Sequence, residues 1–232
     1  MKRFYRDAQA IARAGGFAVE LDGKPLRTPA KHELIVPTHA LAEAMADEWR
    51  NQGVTLKPLA LPLTRLVSTA IDRVVPRRAE VIAEIAKYAA TDLLCYRAGD
   101  PPELTQRQHE AWQPLLDWAE ARYDAPLAIT HGITPIAQSK AALEALERAV
   151  AAYDAVTLVA LHLAVTTCGS LILGLALIEK RLAPEEAFAA AQLDESFQIE
   201  RWGEDPEQTQ RRAALKDDIA LAARFTRLLR GD

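Results

Sequence analysis

Apolar positions along the first 60 residues alternate with polar ones, whereas beyond Pro62 they recur every three to four residues. Phe17, Val19 and Leu21 share one face of an extended segment, and Asp22-Gly23 after them is a hairpin signal. Residues 25–28 return, and residues 33–36 offer a further short strand before Pro37. Thr38 is placed to cap a helix over 40–52, where Leu41, Met45 and Trp49 form an apolar stripe that ends before Gly53. The pattern over residues 1–60 is that of a small antiparallel sheet with one helix.

The later periodicity predicts helices over 64–75, 77–90, 105–123, 140–153, 156–179, 184–202 and 206–229. Pro184 and Pro206 sit at first helical positions, where the missing amide hydrogen costs nothing, and Asp205 with Gln208 approximates a capping box. Residues 91–97 suit either a strand or a helix end. The fold class is therefore α+β, with a small β-rich domain at 1–62 followed by a helical bundle domain at 63–232. Residues 155–178 carry no charge, a length that would span a bilayer. His162, Thr166, Thr167, Cys168 and Ser170 lie within that stretch, so we read it as a central helix buried in the bundle, with a bend near Gly169; a membrane-anchored scaffold is the rival reading.

Charge adds an asymmetry. Residues 1–90 hold 14 Lys and Arg against 10 Asp and Glu, and residues 91–232 hold 14 against 22, for a net charge of −4. The basic residues are scattered, which argues against a nucleic-acid face. Cys95 and Cys168 are embedded in apolar sequence, as reduced core cysteines are. The first 17 residues reach Arg6 and Asp7 before any apolar run, so they contain no secretory core and are expected to belong to the fold.

Signatures of bound nucleotide or metal are missing. Gly15, Gly16, Gly23 and Lys24 lack the phosphate-loop spacing, and Pro25 stands where a magnesium-binding hydroxyl should follow. His32, His39, His109, His131 and His162 show no paired ligand spacing, and Ser170 and Cys168 lie in an apolar helix rather than at a nucleophile turn. Neither a cofactor nor a metal is expected. Adjacent carboxylates such as Asp194-Glu195 diverge by about 100° on a helix, so they do not converge as an acid and base by themselves.

The segment 193–207, LDESFQIERWGEDPE, mixes six acids with Phe197, Ile199 and Trp202. On a helix Glu195, Ile199 and Trp202 fall on one face and join carboxylate, aliphatic and indole groups, as protein-binding surfaces do. An ordinary amphipathic helix with a charged outer side has the same pattern.

Seven stretches in order decide between these. GKPLRTPAKHEL (23–34), Glu48-Trp49, TRLVSTAID (64–72), TDLLCYRA (91–98), the helix with Gln108, Trp112 and Pro114, the Gly169-Ser170 apolar helix, and LDESFQIERWGED (193–205) resemble the assembly chaperone family that guards the α subunit of the ATP synthase F1 head. The resemblance implies an ATP-independent chaperone, not an enzyme, that binds the unassembled α subunit and covers its β-facing surface until the hexamer forms. It places the partner-binding acid at Glu195, with Asp194 as the neighbouring alternative and Gln198 and Trp202 beside them. The family's front-half tryptophan matches Trp49, for which a packing role is favoured over client contact. Organellar members act in the mitochondrial matrix and carry a targeting extension; its lack here leads us to expect a bacterial cytoplasmic protein or a shortened chain. Nothing requires more than a monomer. The rival chemistry is a small-molecule enzyme using Asp194, Glu195 and His162 or His131 in an interdomain cleft.

Overall fold

In the computed structural model, which describes residues 2–132 and 134–231, the alternating front segment forms a four-stranded antiparallel sheet. Strand β2 (Gly16–Leu21) is its centre. On one side it pairs with β1 (Ala8–Arg13), Ala8 facing Leu21 and Arg13 facing Gly16; on the other it pairs with β3 (Lys24–Pro25) and β4 (Ile35–Val36). The sequence pattern did not show β1. Its AQAIAR repeat carries small or polar groups at most positions, and only Ala8 is fully buried. Helix α1 (His39–Arg50) starts where expected, with Thr38 Oγ1 accepting from Leu41 N at 3.2 Å, and its Leu41 and Met45 are buried among the core residues of this layer.

Glu48 joins α1 to α2 (Pro62–Thr69). Its carboxylate accepts from Leu63 N at 2.6 Å, Thr64 N at 3.0 Å and Thr64 Oγ1 at 2.8 Å, so it satisfies free amides of the first turn of α2. Burial raises the Glu48 pKa, against the lowering by the Thr64 and Leu63 hydrogen bonds. The expected helix over 64–75 changes character beyond Thr69: residues 70–74 form a π turn and 75–77 a 3₁₀ turn, where Pro76 has no amide to donate. Asp72 in the π turn accepts from Thr28 Oγ1 at 2.7 Å and Ala30 N at 3.0 Å, and its Oδ1 lies 2.9 Å from His32 Nδ1.

These links explain why the compact units do not divide at residue 62. One unit comprises residues 1–78, 154–160 and 224–232; the other comprises 79–153 and 161–223. Glu48 and Asp72 fasten residues 63–77 to the sheet layer. Thr38 Oγ1 in turn donates to Leu228 O at 2.6 Å, holding the end of the chain in the same unit.

The second unit is mostly helical. It contains nearly all of α3 (Arg78–Ala86), then α4 (Pro102–Tyr123) and α5 (Lys140–Ala151), the later part of α6 (Ala155–Cys168), α7 (Leu171–Ile178), α8 (Pro184–Ala191), α9 (Leu193–Trp202) and most of α10 (Pro206–Arg230). Residues 91–97 end as β5 (Tyr96–Arg97), which runs parallel to β6 (Thr130–His131).

Two expected helices are interrupted. The apolar helix over 156–179 breaks between α6 and α7: Gly169 has φ of 66°, and the extended Ser170 caps α7 by accepting from Leu173 N at 3.0 Å. The buried Asp92 completes that cap. Its carboxylate accepts from Ser170 Oγ at 2.7 Å, Leu94 N at 3.1 Å and Ile172 N at 3.1 Å. The helix over 184–202 breaks at Gln192, whose φ of −114° and ψ of 24° part α8 from α9. With the apolar run divided, no helix among the described residues is long and apolar enough to cross a membrane.

Candidate partner-binding surface

Helix α9 is held from beneath at several points. Phe197 is its buried anchor, and the guanidinium groups of Arg201 and Arg107 lie 4.2 and 5.3 Å from the Phe197 ring centre. Arg107 on α4 pairs with Glu200 at 2.7 Å, and Arg201 reaches back to Glu103 at 3.2 Å. From α10, Arg212 donates to Ser196 Oγ at 3.0 Å and Gln192 Oε1 at 3.3 Å, and lies 3.6 Å from Glu204. Gly203, at φ of 84°, ends the helix with its amide on Ile199 O at 2.8 Å.

This framework sorts the acids of the segment. Glu200 and Glu204 are paired to arginines, and Asp205 caps α10 by accepting from Gln208 N at 2.8 Å. Asp194 is half-buried and accepts from Gln108 Nε2 at 2.7 Å, while Gln108 Oε1 accepts from Ala98 N at 2.7 Å. Asp194 therefore positions α9 on α4. Glu195 is exposed, and among the described residues no hydrogen bond or ion pair engages its carboxylate. Gln198 is exposed one turn on, and Trp202, two turns on, is 77% exposed. Ile199 is half-buried beside them. The outward strip is thus Glu195, Gln198 and Trp202: one free carboxylate, one amide and one bare indole on a braced helix.

Trp49 belongs to the other compact unit. It is buried, with Nε1 donating to Thr64 Oγ1 at 3.2 Å and its ring edge-to-face with Tyr5 at 5.6 Å. Its remaining edge lines an open groove of about 500 Å³ with Leu26, Pro29, Leu61 and Arg65. Sequence reasoning missed the residues behind these elements. Asp92 stands just before the turn whose Leu94 amide it satisfies, which is a readable cap signal; Glu48 reaches amides 15 and 16 residues further along, and neither it nor Gln108 gave a local one.

His109 and His131 share a cavity of about 340 Å³ whose described lining includes neither Asp194 nor Glu195, and His162 is half-buried on α6. Burial, with the nearby Asp92 charge, pushes the Cys95 and Cys168 thiols up to about 12, far from nucleophilic use. Among the described residues no group of three or more metal-binding side chains occurs.

The family model of the ATP12 chaperone protein matches residues 2–120. The chain belongs to the ATP12 chaperone family. The likeness to ATP12 proteins extends well beyond the matched segment. The crystal structure of Atp12 from Paracoccus denitrificans is 44% identical and superposes with a TM-score of 0.94 over 98% of each chain. The mitochondrial protein atp12 of Schizosaccharomyces pombe is 28% identical over 98% of this chain and 83% of its own length. The mitochondrial ATP12 of Saccharomyces cerevisiae is 27% identical over 82% of this chain and 72% of its own.

Proposed function

We propose that this ATP12-family chain is an ATP-independent assembly chaperone that binds the unassembled α subunit of the ATP synthase F1 sector and shields its β-facing interface until the hexamer forms. The observation that carries this reading is the outward strip of α9, where Glu195 and Trp202 stand free on a helix whose other acids are already committed. An unpaired subunit interface is an exposed apolar patch prone to aggregation, and its guardian must bind well enough to cover it and weakly enough to be displaced. An indole beside an unpaired carboxylate suits that requirement. Apolar burial contributes about 25 cal/mol per Å², while a rim carboxylate facing client Arg or Lys adds orientation and encounter rate more than affinity.

The protein acts as a monomer, in the bacterial cytoplasm where its client is made, and performs no reaction on it. Trp49 serves the interior of its own unit; the client contact is assigned to Glu195, Gln198 and Trp202, with Asp194 setting the helix that carries them. The test is capture of tagged α subunit by Glu195→Lys. This exposed residue has no internal partner to lose, so the variant should keep the wild-type circular dichroism and melting temperature. Its retention of α should fall by about tenfold or more, the scale of a lost interface charge contact of 1.4 kcal/mol. Wild-type retention by the folded variant removes Glu195 from the surface, and recovery of no ATP synthase subunit by the wild type overturns the reading.

A further inference from the structure

The groove of about 500 Å³ in the sheet-bearing unit joins cations to an apolar lining. The face of α2 and of the π turn after it contributes Arg65, Ser68, Thr69, Asp72 and Arg73, which recur at three- and four-residue spacing. Leu26, Pro29, Pro58, Leu61 and the remaining edge of Trp49 supply the apolar surface. Arg65 and Arg73 are exposed, and among the described residues no hydrogen bond or ion pair engages either guanidinium. Elsewhere Arg13, Arg50 and Arg107 are paired with Glu20, Glu43 and Glu200.

A third arginine, Arg27, lines the same groove and donates one nitrogen to Lys31 O at 2.9 Å, which leaves the rest of its guanidinium for a visitor. The one acid among the described lining residues, Asp72, is already held by Thr28, Ala30 and His32. The groove is therefore cationic. Water suffices to solvate exposed arginines, but the apolar lining beside them is removed from water only by an occupant.

We infer that this groove is a docking site for an extended acidic peptide segment, one with two carboxylates four residues apart and an aliphatic side chain midway. At a helical rise of about 1.5 Å per residue, Arg65 and Arg73 are about 12 Å apart along the helix. Carboxylates at the first and fifth positions of an extended segment are about 13 Å apart and share one face with the side chain between them. Each guanidinium then takes one carboxylate through paired N–H donors, and the aliphatic group meets the apolar lining. A flat anionic bilayer meets exposed arginines but does not reach apolar side chains inside a concave groove, so a chain is favoured over a lipid surface. The groove and α9 belong to different compact units, and docking here does not depend on the client proposed above.

The experiment follows the Trp49 indole N–H resonance of the full chain while capped five-residue peptides are added. The first has glutamates at both ends and a leucine in the middle; the controls replace the glutamates by glutamines or the leucine by alanine. The expected result is a saturable shift with the first peptide and binding about tenfold weaker with either control. Arg65→Glu with Arg73→Glu changes exposed positions that have no internal partner to lose, so the melting temperature should hold. That double variant should lose the acidic peptide by about tenfold or more and gain the same peptide with lysines in place of the glutamates. No saturable shift with the acidic peptide, equal binding of the glutamine control, or undiminished binding by the double variant would each overturn the assignment. So would binding to phosphatidylserine vesicles over phosphatidylcholine ones by a chain that ignores the peptide.

Discussion

At the scale of single residues, the buried Asp92 and the half-buried Glu48 show how much of this fold rests on side chains that serve as helix caps. Asp92 is the clearer case. Burial raises its pKa to about 6 from an ordinary value near 3.8, against the lowering by hydrogen bonds from Ser170, Ile172 and Leu94. The folded carboxyl therefore holds its proton to higher pH than the unfolded one. Between about pH 4 and pH 6 the native state binds more protons than the unfolded state, so the Asp92 contribution to stability is largest below that window and declines as pH rises through it. Asp92→Asn removes this titration but turns an amide N–H₂ toward a backbone donor that needs an acceptor. Urea unfolding should find the variant about 1–3 kcal/mol less stable near pH 7, the cost of one unmet buried donor, with a larger deficit at pH 4 than at pH 7. A deficit independent of pH would show that Asp92 does not titrate in this range.

At the scale of elements, the α6–α7 break depends on two glycines with different tasks. Gly169 supplies the left-handed turn. Gly174 permits close approach: a Cβ there would press on the Val165 side chain and sit 3.2 Å from Val165 N. Gly174→Ala gains up to about 1 kcal/mol in helix propensity but overpacks by about 1–3 kcal/mol, so a net loss in melting temperature is expected. Val165→Ala introduced with it should recover part of that loss, although each change alone destabilises; a double variant no more stable than the sum of the two would separate Gly174 from Val165. Element by element, legibility followed the local signal. Helix α1, with its Thr38 cap and apolar stripe, was readable because the cap and the periodicity agreed. Strand β1 was hidden because its run of small and polar residues has weak periodicity, and its cross-strand ion pair of Arg13 with Glu20 at 2.5 Å leaves no local pattern. The break at Gly169 falls where a bend was expected, whereas the break at Gln192 lay inside an uninterrupted helical pattern, where a tertiary contact decides the backbone.

At the scale of the molecule, the α+β order was legible from the change in period near Pro62, but the compact units were not. Their boundaries depend on pairings such as Thr38 with Leu228, separated by most of the chain, which no local pattern records. The same holds for the proposed contact segment. Its acids look alike in sequence, and only the positions of Arg107, Gln108 and Arg212 distinguish the committed Glu200, Asp194 and Glu204 from Glu195. One feature of that segment offers an optical reading of the whole encounter. Of the four tryptophans, Trp49 and Trp112 are buried and Trp118 is half-buried, whereas Trp202 stands largely in water. Excitation at the red edge should select this wet indole, so docking of the α subunit should shift its emission to the blue and shield it from acrylamide. Trp202→Phe should abolish both changes, and their persistence in that variant would place the reporting indole elsewhere. The chain thus carries, at the tip of its proposed contact helix, a native fluorophore for timing capture and hand-over without any added dye.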